Sequence, residues 1–89
     1  MKNYIVKVEG RVQGVWFRKF AQNRAMELEL GGYAKNLEDG SVEIGISGKE
    51  ESVKKFLEAI KKGPPLARVD RVTILETEEG FGNSFEILR

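Results

Sequence analysis

Tyr33-Ala34-Lys35-Asn36-Leu37-Glu38-Asp39-Gly40-Ser41-Val42-Glu43-Ile44-Gly45-Ile46-Ser47-Gly48 is the stretch on which the fold turns. Its second half alternates: Val42, Ile44 and Ile46 are apolar, while Ser41, Glu43, Gly45 and Ser47 are polar or small. A period of two predicts a strand over 41–48 with one buried face and one polar or open face. Tyr33 to Asn36 reads as a shorter strand, and Leu37-Glu38-Asp39-Gly40 as the tight turn between the two. Asp-Gly favours such a turn because its second position wants φ > 0, which glycine adopts freely. The middle of the chain is therefore an antiparallel hairpin.

Each side of the hairpin carries a helix and a strand. Residues 4–9, Tyr-Ile-Val-Lys-Val-Glu, are β-branched and aromatic and stop at Gly10, which predicts a strand. Phe17, Phe20, Ala21, Ala25 and Leu28 then lie on one stripe at helical spacing, predicting a helix over 17–29 with Lys19, Gln22, Asn23 and Glu27 facing water. Leu30-Gly31-Gly32 reads as its break. After the hairpin, Val53, Phe56, Leu57 and Ile60 fall at i, i+3, i+4 and i+7. Glu50 and Glu51 sit at the positive end of this second helix, Lys61 and Lys62 at its negative end, and Gly63-Pro64-Pro65 stops it. A strand over 69–77, a glycine-containing loop and a short strand over 84–88, with Phe85 and Ile87 facing one way, complete the chain. The polar stretch 76–84 reads as a mobile loop rather than a domain boundary. Phe20, Phe56, Phe81 and Phe85 read as core or core-edge packing. The order is βαββαβ with an extra short C-terminal strand. Two strand–helix–strand halves around an antiparallel hairpin predict an α+β, ferredoxin-like two-layer sandwich, two helices on one face of a mostly antiparallel sheet. Right-handed crossovers place the first strand in the sheet's interior. One domain is expected to span 1–89.

Composition narrows the function. The 89 residues are 40% hydrophobic and 33% charged, and 15 basic against 14 acidic residues leave a net charge of +1. That balance offers no electrostatic case for nucleic acid or an anionic membrane. No apolar run approaches the ~20 residues of a membrane span, and Met1-Lys2-Asn3-Tyr4 has no apolar signal core, so a cytoplasmic location and a monomer are the expectations. The chain has neither Cys nor His. Thiolate and imidazole chemistry, disulfides and zinc knuckles are thereby excluded, leaving Arg, Lys, amides, carboxylates, hydroxyls and main-chain groups.

Within that kit, Gly10-Arg11-Val12-Gln13-Gly14-Val15-Trp16-Phe17-Arg18 links the first strand to the first helix. Two glycines bracket a turn whose consecutive N–H groups can converge on an anion, reinforced by the positive end of the following helix. Arg18 adds a planar charged fork suited to phosphate. Gln13, Gly14, Val15, Trp16, Phe17 and Arg18 form the candidate phosphate-binding loop, with Trp16 read as either a core plug or a partly exposed pocket wall. The spacing matches neither GxGxxG nor GxxxxGK[ST], so dinucleotide and nucleoside-triphosphate readings lose their support. Asn36, where a strand enters its turn, suits turn geometry on its own account. Lys19 and Lys35 read as solvated charges.

Taken together, two stretches resemble the acylphosphatase family. A V-Q-G-V-x-F-R loop runs from Val12 to Arg18, and a gapped pattern follows as Gly32, Tyr33, Asn36, Gly40, Val42 and Gly48. Gly63 to Val69 is also similar to the family. The resemblance implies a ferredoxin-like fold and hydrolysis of a carboxyl–phosphate bond in a small acyl phosphate, without metal or organic cofactor. It implies that Arg18 binds the phosphoryl group, that Asn36 orients the attacking water through its carbonyl, and that the Gln13–Phe17 main chain donates to phosphate. Two positions depart from the pattern: Trp16, where many members carry Gly, and Glu29, often a helix-ending Gly. At the latter, Gly31 is expected to take over the stop.

Three other classes are weighed against this. An acyl- or carbamoyl-phosphate-binding module without turnover is the alternative within the resemblance, and the end of the chain at Arg89 favours a free-standing enzyme. An RNA-recognition module shares the βαββαβ order but displays strand aromatics, which 41–48 lacks. A copper chaperone of similar topology needs paired Cys.

Overall fold

The computed structural model describes residues 1–89. In chain order the elements are β1 (Lys2–Arg11), α1 (Phe17–Glu27), β2 (Gly31–Asn36), β3 (Val42–Gly48), α2 (Glu50–Lys62), β4 (Arg68–Glu76) and β5 (Phe85–Leu88). They form one five-stranded sheet in the order β4-β1-β3-β2-β5, antiparallel except for the β2–β5 pair. The ferredoxin-like sandwich, its interior first strand and the extra fifth strand are as expected.

The central alternation becomes the core. Val6 and Val8 of β1 lie opposite Ile44 and Val42 of β3, and all four are fully buried beneath the helices. Phe17, Ala21 and Ala25 form the buried stripe of α1, while Val53, Phe56 and Ile60 form that of α2. Two alanines let α1 lie close on the sheet. The Phe56 ring meets Phe85 of β5 at 6.2 Å and so ties the last strand to the second helix. Such interdigitated packing is what fixes one arrangement of the two layers.

Three local expectations change. Helix α1 ends at Glu27, not residue 29, and Gly31 does not stop it. Glu29 itself takes the left-handed conformation at φ 58. Its N–H donates to the Met26 carbonyl at 3.1 Å and the Leu30 N–H to the Ala25 carbonyl at 2.8 Å. This pair of bonds is a Schellman ending, here built on a residue with a Cβ. Gly31 and Gly32 do not break the chain either: they begin β2. At Gly32, φ is 151, and a side chain would run into the Gly45 carbonyl of β3, so only glycine permits the close approach of these two strands.

Lastly, Phe81 lies outside the helix–sheet core. It sits on the opposite sheet face, edge-on to Tyr33 at 5.6 Å, while its N–H donates to Ser47 Oγ at 2.9 Å. Together with the Thr77 N–H to Asn3 carbonyl bond and the Gly32 N–H to Ser84 carbonyl bond, both 2.9 Å, this ties the 77–84 segment down at three points. Burial and a hydrogen bond to Glu43 at 2.7 Å both hold the Tyr33 phenol protonated well above its usual range.

Candidate active site: the strand-to-helix loop and the hairpin turn

Beyond the bulge between Glu9 and Gly10, β1 hands the chain to the 12–16 loop. Val12 and Val15 plug this loop into the core, at 1% and 6% exposure. The residues between and after them turn outward through left-handed backbone, φ 72 at Gly14 and φ 63 at Trp16. Anchored apolar positions alternating with left-handed ones curl the main chain into a concave nest.

Outside the regular elements, the Gly14, Val15 and Trp16 N–H groups donate to no main-chain carbonyl. The first N–H groups of α1, from Phe17 onward, likewise lack intrahelical partners by the geometry of a helix start. No acidic residue occupies the first turn of α1, whereas Glu50 and Glu51 occupy that of α2. The positive end of α1 is thus uncompensated and points where the nest opens.

A second element completes the site. Gln13 turns its side chain away from the nest and donates from Nε2 to two carbonyls of the hairpin turn, Leu37 and Ser41, both at 2.8 Å. This clamp joins the 12–16 loop to the turn directly beside Asn36, the last residue of β2. The turn is itself braced. Leu37 N–H donates to the Ser41 carbonyl at 2.9 Å, and Asp39 Oδ1 accepts from the Ser41 N–H at 3.0 Å and from its hydroxyl. The Ser41 hydroxyl, followed by the Lys7 ammonium at 2.9 Å from Asp39 Oδ2, holds the Asp39 carboxyl well below the usual carboxylate range.

From the far side, β5 supplies a third support: Arg18 Nη1 donates to the Leu88 carbonyl at 2.9 Å. That bond orients the guanidinium and leaves its remaining N–H groups available.

The result is a cleft of about 410 Å³ lined by Val12, Gly14, Trp16, Phe17, Arg18, Lys19, Asn36 and Ile87. Arg18 and Asn36, named separately from sequence, share its wall. Of the six candidate loop residues, Gly14, Trp16, Phe17 and Arg18 line it, while Gln13 clamps and Val15 is buried beneath. Lys19 is exposed, hydrogen-bonded to Gln22 Oε1 at 3.1 Å, yet also lines the cleft, so it does more than face solvent. Ile87 was not foreseen as a site residue; only the β2–β5 pairing brings it there.

Two cationic side chains and no carboxylate line this wall, so its local charge favours an anion. Across the whole chain, no group of three or more carboxylates gathers in a way that could hold a metal ion. One detail differs from expectation. The Asn36 Oδ1 atom, expected to face the cleft, is turned inward and accepts no hydrogen bond. A half-turn of the terminal amide exchanges its two ends, and that torsion has only a broad preference.

A ferredoxin-like sandwich with a carboxylate-free anion cleft at the head of its first helix defines a class of small phosphate-handling domains. Within that class the chain belongs to the acylphosphatase family, whose profile matches residues 4–87. It is 46% identical over 87 residues to an acylphosphatase of Thermus thermophilus, covering 98% of this chain and 99% of that one. Its fold is similar to the crystal structure of acylphosphatase from Bacillus subtilis, with a TM-score of 0.94, 40% identity and complete coverage of both chains. It is also similar to a portion of the HypF protein of T. kodakarensis, with a TM-score of 0.87 and 43% identity, covering this chain fully but only 12% of that one.

Proposed function

We propose that this cleft hydrolyses acyl phosphates by the joint action of Arg18, the Gly14–Phe17 main chain and Asn36. The acyl-phosphate activity is the one that family membership carries; the roles of the residues are argued from the site. Arg18 and the loop N–H groups hold the phosphoryl oxygens, and Asn36 fixes a water behind phosphorus. The water oxygen forms a bond to phosphorus as the bond from phosphorus to the acyl oxygen breaks. A carboxylate leaves, and the water's proton passes to a phosphate oxygen. Because a carboxylate is a good leaving group, no strong general acid is required. Phosphoryl transfer of this kind depends on positioning and electrostatic stabilisation, which these groups supply. The Asn36 amide orients the water by accepting from it once turned over, or by donating to its oxygen from Nδ2.

The observation that carries this reading is that Arg18 and Asn36 line one cleft without a carboxylate. In this reading the enzyme works as a cytoplasmic monomer on a small soluble substrate, without nucleic acid. No helix is long and apolar enough to cross a membrane.

The test is a hydrolysis assay in excess chelator with acetyl phosphate beside phenyl phosphate. Turnover of the anhydride but not of the ester is expected, since only the first offers a carboxylate leaving group. Binding of acetyl phosphate with no turnover would favour a binding module, and equal turnover of both would contradict the proposed mechanism.

A further inference from the structure

The two halves of the site lie on separate segments. The nest belongs to residues 12–16, whereas Asn36 ends β2 just before the hairpin turn. The pairing of β1 with β3 and that of β2 with β3 both run out at Val42, so Leu37 to Ser41 lie beyond the last rung of the sheet. The only hydrogen bonds between that turn and the 12–16 loop are the two from Gln13 Nε2. Lys7 also reaches the turn, through Asp39, but that ion pair is exposed on both sides and ties the turn to β1 rather than to the nest. The Gln13 end of the clamp is firm, because Val12 and Val15 on either side of it are plugged into the core.

The turn does not need Gln13 to satisfy its carbonyls. The Leu37 carbonyl also accepts from the Gly40 N–H at 3.2 Å, and the Ser41 carbonyl from the Leu37 N–H at 2.9 Å. Removing the clamp therefore strands neither acceptor, and the turn keeps its internal support. Gln13 spends its Nε2 donors on the turn and its side chain does not line the cleft, so it does not touch the substrate. What its two bonds fix is where the turn, and with it Asn36, stands relative to the nest.

We infer that Gln13 is a positioning residue: its amide sets the separation of Asn36 from the phosphate nest, and so governs the attack by water rather than the grip on phosphate. The inference rests on the reading of Asn36 as the group that aims the water. A misplacement on the order of 1 Å in such a group costs up to about 10²-fold in rate. Because the clamp acts through Asn36, it is worth at most what Asn36 is worth.

The experiment measures kcat for acetyl phosphate and the inhibition constant for inorganic phosphate in the unmodified chain, Gln13→Met, Asn36→Ala and the double variant. Methionine keeps an unbranched stem of similar length and removes both donors. Gln13→Met is expected to lower kcat about tenfold to thirtyfold while the phosphate constant stays within about threefold. In the Asn36→Ala background the same substitution should lower kcat by no more than about twofold, since the group it positions is already gone. Equal losses in both backgrounds, or a phosphate constant that weakens in step with kcat, would mean that Gln13 shapes the nest itself, and overturn the inference. Full kcat in Gln13→Met beside an impaired Asn36→Ala overturns it too, and leaves the reading of Asn36 standing. If Asn36→Ala keeps full kcat, both fall. Should Gln13→Met not fold, Gln13→Ala, which sets no thioether against the turn, carries the same expectations and the same contrary results.

Discussion

Arg18→Lys is expected to lower kcat/KM for acetyl phosphate by at least about 10²-fold, and Arg18→Ala by about 10³-fold, the usual range for losing a donor aimed at developing negative charge. Lysine keeps the charge, so a purely coulombic role would survive the change. What it loses is the planar fork: one N–H anchored on the Leu88 carbonyl, and others free to make paired bonds to phosphoryl oxygens. A flexible ammonium bound to that carbonyl has fewer donors left and no fixed plane. Steady-state kinetics, beside circular dichroism to confirm the fold, check the expectation. A Lys variant within about fivefold of the unmodified enzyme would mean that charge alone suffices.

Asn36→Ala is expected to lower kcat by about 10²-fold while the inhibition constant for inorganic phosphate stays within about threefold. The reasoning is that a water-aiming group acts on the attack, whereas the grip on phosphate lies across the cleft in Arg18 and the loop. Stability should change little, because the Asn36 Oδ1 accepts no hydrogen bond and its removal strands no partner. Product-inhibition kinetics separate the possibilities. A tenfold weaker phosphate constant with kcat retained would make Asn36 a phosphate ligand instead.

Local rules carried most of the architecture. The Val42-Ile44-Ile46 alternation, the Asp39-Gly40 turn and the Val53-Phe56-Leu57-Ile60 stripe each answer to neighbours close in sequence, and each is where periodicity placed it. What escaped depends on contacts between distant segments. Gly31 and Gly32 look like a helix stop until β3 and the Gly82 main chain are seen pressing on them. Glu29 carries the stop because the two closing hydrogen bonds, from its own N–H and that of Leu30, can form with any residue at position 29 that tolerates φ 58. Phe81 has the composition of a core residue but lies beyond the helices, on the far face of the sheet.

The same division runs through the site. Arg18 and Asn36 could be singled out because two gapped motifs resemble those of the acylphosphatase family. Their meeting in one cleft was expected from the resemblance, whereas the Gln13 clamp to the Leu37 and Ser41 carbonyls beside Asn36 was not legible. No local pattern distinguishes a clamping glutamine from a surface one. Ile87 and the Leu88 carbonyl enter the site only through the parallel pairing of β5 with β2, a contact between segments far apart in the sequence.

The central claim is that the main-chain nest and one guanidinium together grip a phosphoryl group. A titration of the ¹⁵N-labelled protein with inorganic phosphate, followed through its amide resonances, tests that grip most directly. Saturable shifts concentrated at Gly14 through Arg18, and abolished in Arg18→Ala, are the predicted result. Shifts that bypass the loop, or that persist undiminished without the guanidinium, would contradict it.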